Sequence, residues 1–188
     1  MRNLIKASTV AILVIGGSVV AVPAYAADLT CSGDLGSQAI TGNLIVDGGV
    51  DCILGGATVE GDIIVGEDGW LDATSVTVTG DVIATDAYGV SLDGTSVAGD
   101  ISSYSEGTRG GFLYVTDLEV GGEVAAGGID VEVTDSSITG SLTTQAASYV
   151  DVVRTSVGGD VSIDGSDYGV SVGGAVVKGS VTVSGSSR

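Results

Sequence analysis

Asp62, Asp81 and Asp100 recur at intervals of 19 residues, each directly after a glycine. If that column faces outward, the carboxylates are stacked at strand spacing and repel, which a bound divalent cation such as Ca²⁺ would relieve. The alternative is structural: an aspartate after a glycine accepts backbone hydrogen bonds at a chain corner. The glycine-rich nonapeptide of Ca²⁺-binding solenoids is absent, which favours the corner. No cofactor is otherwise expected.

Nucleophilic catalysis finds little support, because the chain contains no histidine and the Ser-His-Asp and Cys-His arrangements are excluded. Only Arg109 and Arg154 could serve an enzyme of the polysaccharide lyase or hydrolase type, and Arg109 with Asp100 and Glu106 is the best such grouping. A solvated loop charge explains Arg109 more simply.

The aromatics offer a binding surface. Trp70, Phe112 and Tyr149 align at one position of alternate coils, Tyr88 and Tyr168 share a column one residue earlier, and Tyr114 lies near Phe112. Alternation points the first column outward, with rings about 10 Å apart along one face, a spacing suited to an extended polysaccharide. The competing reading is that the rings cover glycine-rich corners or pack between coils. Thr95-Ser96, Ser136-Ser137 and Thr155-Ser156 form a broken hydroxyl column, read as solvated β-surface.

The elements that carry these residues follow from a phrase that returns about every 19 residues. It reads Val-Glu-Gly-Asp-Ile at 59–63, Val-Thr-Gly-Asp-Val at 78–82, Val-Ala-Gly-Asp-Ile at 97–101 and Val-Gly-Gly-Asp-Val at 157–161, with looser copies between and beyond. A period held this closely makes each repeat one coil of a solenoid. Mid-coil pairs spaced by two, such as Leu71/Ala73, Val90/Leu92 and Val131/Val133, mark strands with one face inward. The expected fold is all-β: a single-stranded parallel β-helix, triangular in section, with three short strands per coil and about eight coils. A right-handed coil is expected, since the left-handed type usually keeps a stricter hexapeptide rhythm. Extra residues at 103–111 read as a bulging loop.

The Val-x-Gly-Asp-Val rhythm resembles the bactofilin-type β-helix. It is closer still to a group of exported bacterial β-solenoid proteins with an N-terminal cysteine pair and repeated Val-x-Gly-Asn-Val coils. The resemblance covers nearly all of residues 31–184, and it implies a fold and end-to-end assembly rather than a chemistry. Bactofilins are cytoplasmic polymer-formers, whereas this chain carries a leader and cysteines.

Residues 1–26 read as a secretory signal peptide: Arg2 and Lys6, an apolar run over 10–22, then Ala24-Tyr25-Ala26 before the expected cleavage. The remainder, 27–188, is one domain. All 24 acidic residues fall in it against four basic ones (Arg109, Arg154, Lys178, Arg188), a net charge of −20. That excludes nucleic acid as a partner, disfavours anionic lipid, and fits a cationic partner or high solubility. Disorder is not implied, because 44% of residues are hydrophobic and the aliphatics stay in register. Cys31 and Cys52 are the only cysteines, and in an exported protein such a pair is expected to form a disulfide worth roughly 3 kcal/mol. A metal site there would lack ligands.

Two functions follow as expectations. The first is a non-catalytic exported structural or surface protein, a rigid acidic rod that self-associates, because the C-terminal segment Val181-Thr182-Val183 is followed by no capping helix. The second is a module that binds envelope polysaccharide or a surface protein through Trp70, Phe112, Tyr114 and Tyr149. No membrane insertion is expected after cleavage of the leader.

Overall fold

The computed structural model describes residues 27–106 and 110–186. The expected leader and Arg109 lie outside the described residues. Among those described there is no helix, and short strands gather into three parallel sheets. The first sheet has nine strands, from Leu29–Thr30 and Leu44–Val46 to Val181–Ser184. The second has eight, including Asp51–Gly55, Trp70–Thr74 and Phe112–Thr116. The third also has eight, all two-residue strands such as Thr58–Val59 and Thr77–Val78. Each coil gives one strand to each sheet, and every strand pairs in parallel with its equivalent one coil away. The chain is a parallel β-solenoid of about eight coils.

Sequence period becomes structural register, so identical positions stack into ladders. On the first sheet Leu44, Ile63, Val82 and Ile101 pair in succession, and all are buried. On the second, Cys52, Leu71, Val90 and Leu113 do the same. The core is therefore a column of β-branched and leucine side chains, each stacked on its like about 4.8 Å away. The extra residues after Tyr104 leave these ladders intact, for Ile101–Tyr104 pairs in full with Val124–Gly127 and Phe112–Thr116 with Asp130–Thr134. The insertion is confined to the corner between the first and second sheets.

The turn from the second sheet to the third uses a left-handed residue in every coil: Gly36, Gly56, Ser75, Gly94, Asp117, Asp135, Arg154 and Gly174 all have positive φ. A single αL residue reverses the chain in minimal length, which lets the coil close with two-residue strands on its third side.

The two ends differ. Cys31 and Cys52 are joined in a disulfide with Cα atoms 5.9 Å apart, and both are buried, Cys31 just after the first strand and Cys52 beside Leu71 in the second-sheet ladder. Leu29, Leu35 and Val50 pack against that end. At the other end the ladders run out into solvent: Val172, Val181 and Val183 are 38%, 51% and 48% exposed, whereas their ladder partners Val152, Val161 and Ile163 are 0% exposed.

Candidate functional site

The aspartate column lies at the corner between the third and first sheets, where one oxygen of each carboxylate accepts a backbone N–H. Asn43 Oδ1 accepts from the Asp62 N–H at 2.9 Å, Asp62 Oδ1 from Asp81 N–H at 2.9 Å, and Asp81 Oδ1 from Asp100 N–H at 2.7 Å. Asp100 Oδ1 accepts from Glu123 N–H at 2.8 Å, and Asp160 Oδ1 from Ser180 N–H at 2.7 Å. Each side chain reaches one coil forward and satisfies a corner amide that no sheet partner serves. The adjoining glycines have a steric cause: a Cβ on Gly80, Gly99 or Gly122 would overlap the carboxylate oxygen of the preceding coil. Among the described residues no group of three or more His, Cys, Asp or Glu side chains is placed to hold a metal ion.

The aromatic residues form a contiguous cluster on the outer surface of the second sheet. Strand register sets Asp51, Trp70, Gly89, Phe112, Asp130 and Tyr149 in one column. Gly89 leaves a gap in that column and the Phe112 ring fills it, for a Cβ on Gly89 would collide with three ring carbons. This is aromatic cover of a strand glycine. Tyr88 stands between its neighbours, edge-on to Trp70 (centroids 6.5 Å, planes at 72°) and to Phe112 (5.7 Å, 82°). Tyr114 stacks on Phe112 at 4.5 Å and 28°. The rings therefore touch one another and do not stand as separate platforms. Tyr88 and Tyr114 are exposed at 59% and 37%, while Trp70 and Phe112 are half-buried.

Carboxylates frame this cluster. Burial, then Asp130 and Glu132, raise the Tyr114 phenol above its ordinary pKa. Burial, then Asp151 beside it, raise that of Tyr149. Tyr149 belongs to the column but makes no ring contact with the four others, separated from Phe112 by Asp130.

Of the enzymatic grouping, Arg109 lies outside the described residues, and the other two members flank one first-sheet strand. Asp100 and Glu106 stand at opposite ends of Ile101–Tyr104, with Asp100 on Glu123 N–H and the Glu106 N–H donating to Asp86 Oδ1 at 2.8 Å. Arg154 is engaged elsewhere: Nε and Nη2 donate to the two Asp135 carboxylate oxygens, both at 2.6 Å. That fork holds the Asp135 carboxyl below its usual range and raises Arg154.

The hydroxyl column departs from the solvated surface expected. Thr95, Ser136 and Thr155 are buried at 1%, 6% and 1% exposed, and only Ser96, Ser137 and Ser156 point out. The buried hydroxyls donate back to the chain: Thr95 Oγ1 to Asp93 O at 3.2 Å, Ser136 Oγ to Thr134 O at 2.7 Å and Thr155 Oγ1 to Val153 O at 3.0 Å. They also accept from the preceding coil, as Leu118 N–H to Ser136 Oγ at 3.1 Å shows. They are internal corner braces.

Fold and surface together define the class as a three-sided parallel β-solenoid with an acidic exterior and one aromatic cluster. Comparison with protein-family models, with characterised proteins and with solved structures finds no match to this chain.

Proposed function

We propose that this chain is a non-catalytic exported structural protein, a rigid acidic rod that associates end to end. The observation that carries this is the contrast between its ends. A disulfide and packed leucines brace one, and the other exposes the terminal valines of three ladders, while the last strands at both ends are paired on one side only among the described residues. Unpaired N–H and C=O groups beside exposed aliphatics form a template for further parallel strands, and no helix among the described residues blunts it. A disulfide-bonded chain fits an oxidising compartment outside the cytoplasm. No helix among the described residues is long and apolar enough to cross a membrane. The absence of histidine and the engagement of Arg154 support a role without catalysis.

Light scattering on the leaderless protein over a concentration series tests this reading. Mass should rise with concentration, and Val181→Asp with Val183→Asp should hold the protein monomeric. A strict monomer at the highest soluble concentration would sink the rod-assembly reading.

A further inference from the structure

The ring cluster is independent of the open end and calls for its own partner. Trp70, Tyr88, Phe112 and Tyr114 form one continuous outward surface across three coils, with two of the rings well exposed. Carboxylates stand next to the rings in the strand register: Asp51 and Asp130 flank the column of Trp70 and Phe112, and Glu132 pairs with Tyr114. Asp72 lies beside Trp70 on the same strand with its own side chain outward. Among the described residues the only cations are Arg154, held by Asp135, and Lys178, which follows the third-sheet strand Val176–Val177. None of these rim carboxylates is therefore paired with a described cation.

The ring geometry discriminates between ligand classes. A neutral sugar chain wants separate flat faces along its length, but Tyr88 stands at 72° and 82° to its neighbours and Tyr114 covers a face of Phe112. A cation above a ring needs only one accessible π-face and gains further from nearby carboxylates. The net charge of −18 for the whole chain draws cationic chains toward the surface in general, and the rings give one location a preference among many acidic ones.

We propose that the Trp70–Tyr88–Phe112–Tyr114 cluster, with Asp72, is a docking site for lysine and arginine side chains of a cationic polypeptide segment. The guanidinium or ammonium lies against an exposed ring, and the rim carboxylates take its hydrogen bonds. Arginine is favoured over lysine, since its planar group stacks on an aromatic face while its edge still donates.

Trp70 is the only tryptophan and reports from inside the cluster. The leaderless protein is titrated with a fluorescein-labelled peptide of alternating arginine and serine, reading peptide anisotropy and Trp70 emission together. Binding should shift both, and each of Tyr88→Ala and Tyr114→Ala should weaken it by about two- to fivefold. Glu132→Gln should weaken it too, whereas Glu60→Gln with Glu119→Gln, which removes exposed charge from the third sheet, should change it little. Circular dichroism checks that each variant keeps the fold. Equal losses in the Glu60/Glu119 variant and the cluster variants would overturn the site in favour of diffuse attraction. Tighter binding of a neutral hexasaccharide than of the peptide, or no binding of the peptide, would overturn it outright.

Discussion

Asp81 Oδ1 accepts the Asp100 N–H at 2.7 Å through the space that a side chain on Gly99 would fill. The Asp of one coil and the Gly of the next are thus one unit, repeated along the rod, and the Gly-Asp pair of the repeated phrase is its trace in sequence. A Cβ on Gly99 would also come within 2.7 Å of the Gly80 carbonyl oxygen, so moving the carboxylate alone cannot make room.

Gly99→Ala should therefore destabilise by about 2–3 kcal/mol through forced backbone displacement. Asp81→Ala should cost about 1–2 kcal/mol by leaving the Asp100 amide without its acceptor. Combined, they should cost less than their sum, because removing the carboxylate relieves one of the two collisions. Denaturant melts of the four proteins give the cycle, and strict additivity would show that the two residues act separately.

Thr144 sits in the first-sheet ladder between Ala126 and Ile163, 0% exposed, and its Oγ1 has no hydrogen-bond partner. Thr144→Val keeps the branched shape and removes an unmet polar group. It should raise unfolding stability by about 1 kcal/mol, read as a higher denaturation midpoint with an unchanged slope.

Ala146 is exposed and held at φ 48° without a polar side chain to justify it. Ala146→Gly trades roughly 1–2 kcal/mol of αL strain against about 0.5–1 kcal/mol of extra chain entropy. A small gain, up to ~1 kcal/mol, should appear in thermal melts, while Gly94→Ala at φ 56° should lose a similar amount.

The Asp135–Arg154 fork predicts a pH signature. Because Asp135 has a folded pKa below its ordinary value, its contribution is present above the unfolded value of about 3.9 and is lost as pH falls through the folded one. Carboxyl NMR titration should place Asp135 below the ordinary aspartate value, and Arg154→Gln should raise it back toward that value.

What the residues disclosed and what they hid have a common cause. In a solenoid each position meets its own equivalent on the next coil, so the columns through Val82 and Val90 read straight into inward ladders. The same logic placed Trp70 and Phe112 in one outward column. It could not show that the Phe112 ring lies over Gly89 or that Tyr88 joins Trp70 to Phe112, because those depend on one missing side chain in one coil. The Gly between two aromatics of the column was the available signal. Thr95 and Thr155 resembled surface hydroxyls because their type is polar, but their partners are carbonyls two residues back, which burial does not forbid. The corner role of Asp62 and Asp81 was one of two readings the spacing left open, and the structure shows one oxygen of each, Oδ1, accepting a backbone N–H of the next coil.

The end-to-end rod is tested most directly by small-angle X-ray scattering of residues 27–188 over a concentration series, which separates length from cross-section. Association through the valine-lined end should lengthen the particle at a constant cross-sectional radius, and Val181→Asp with Val183→Asp should abolish the growth. A length that stays fixed at every concentration, or a cross-section that thickens instead, would contradict it.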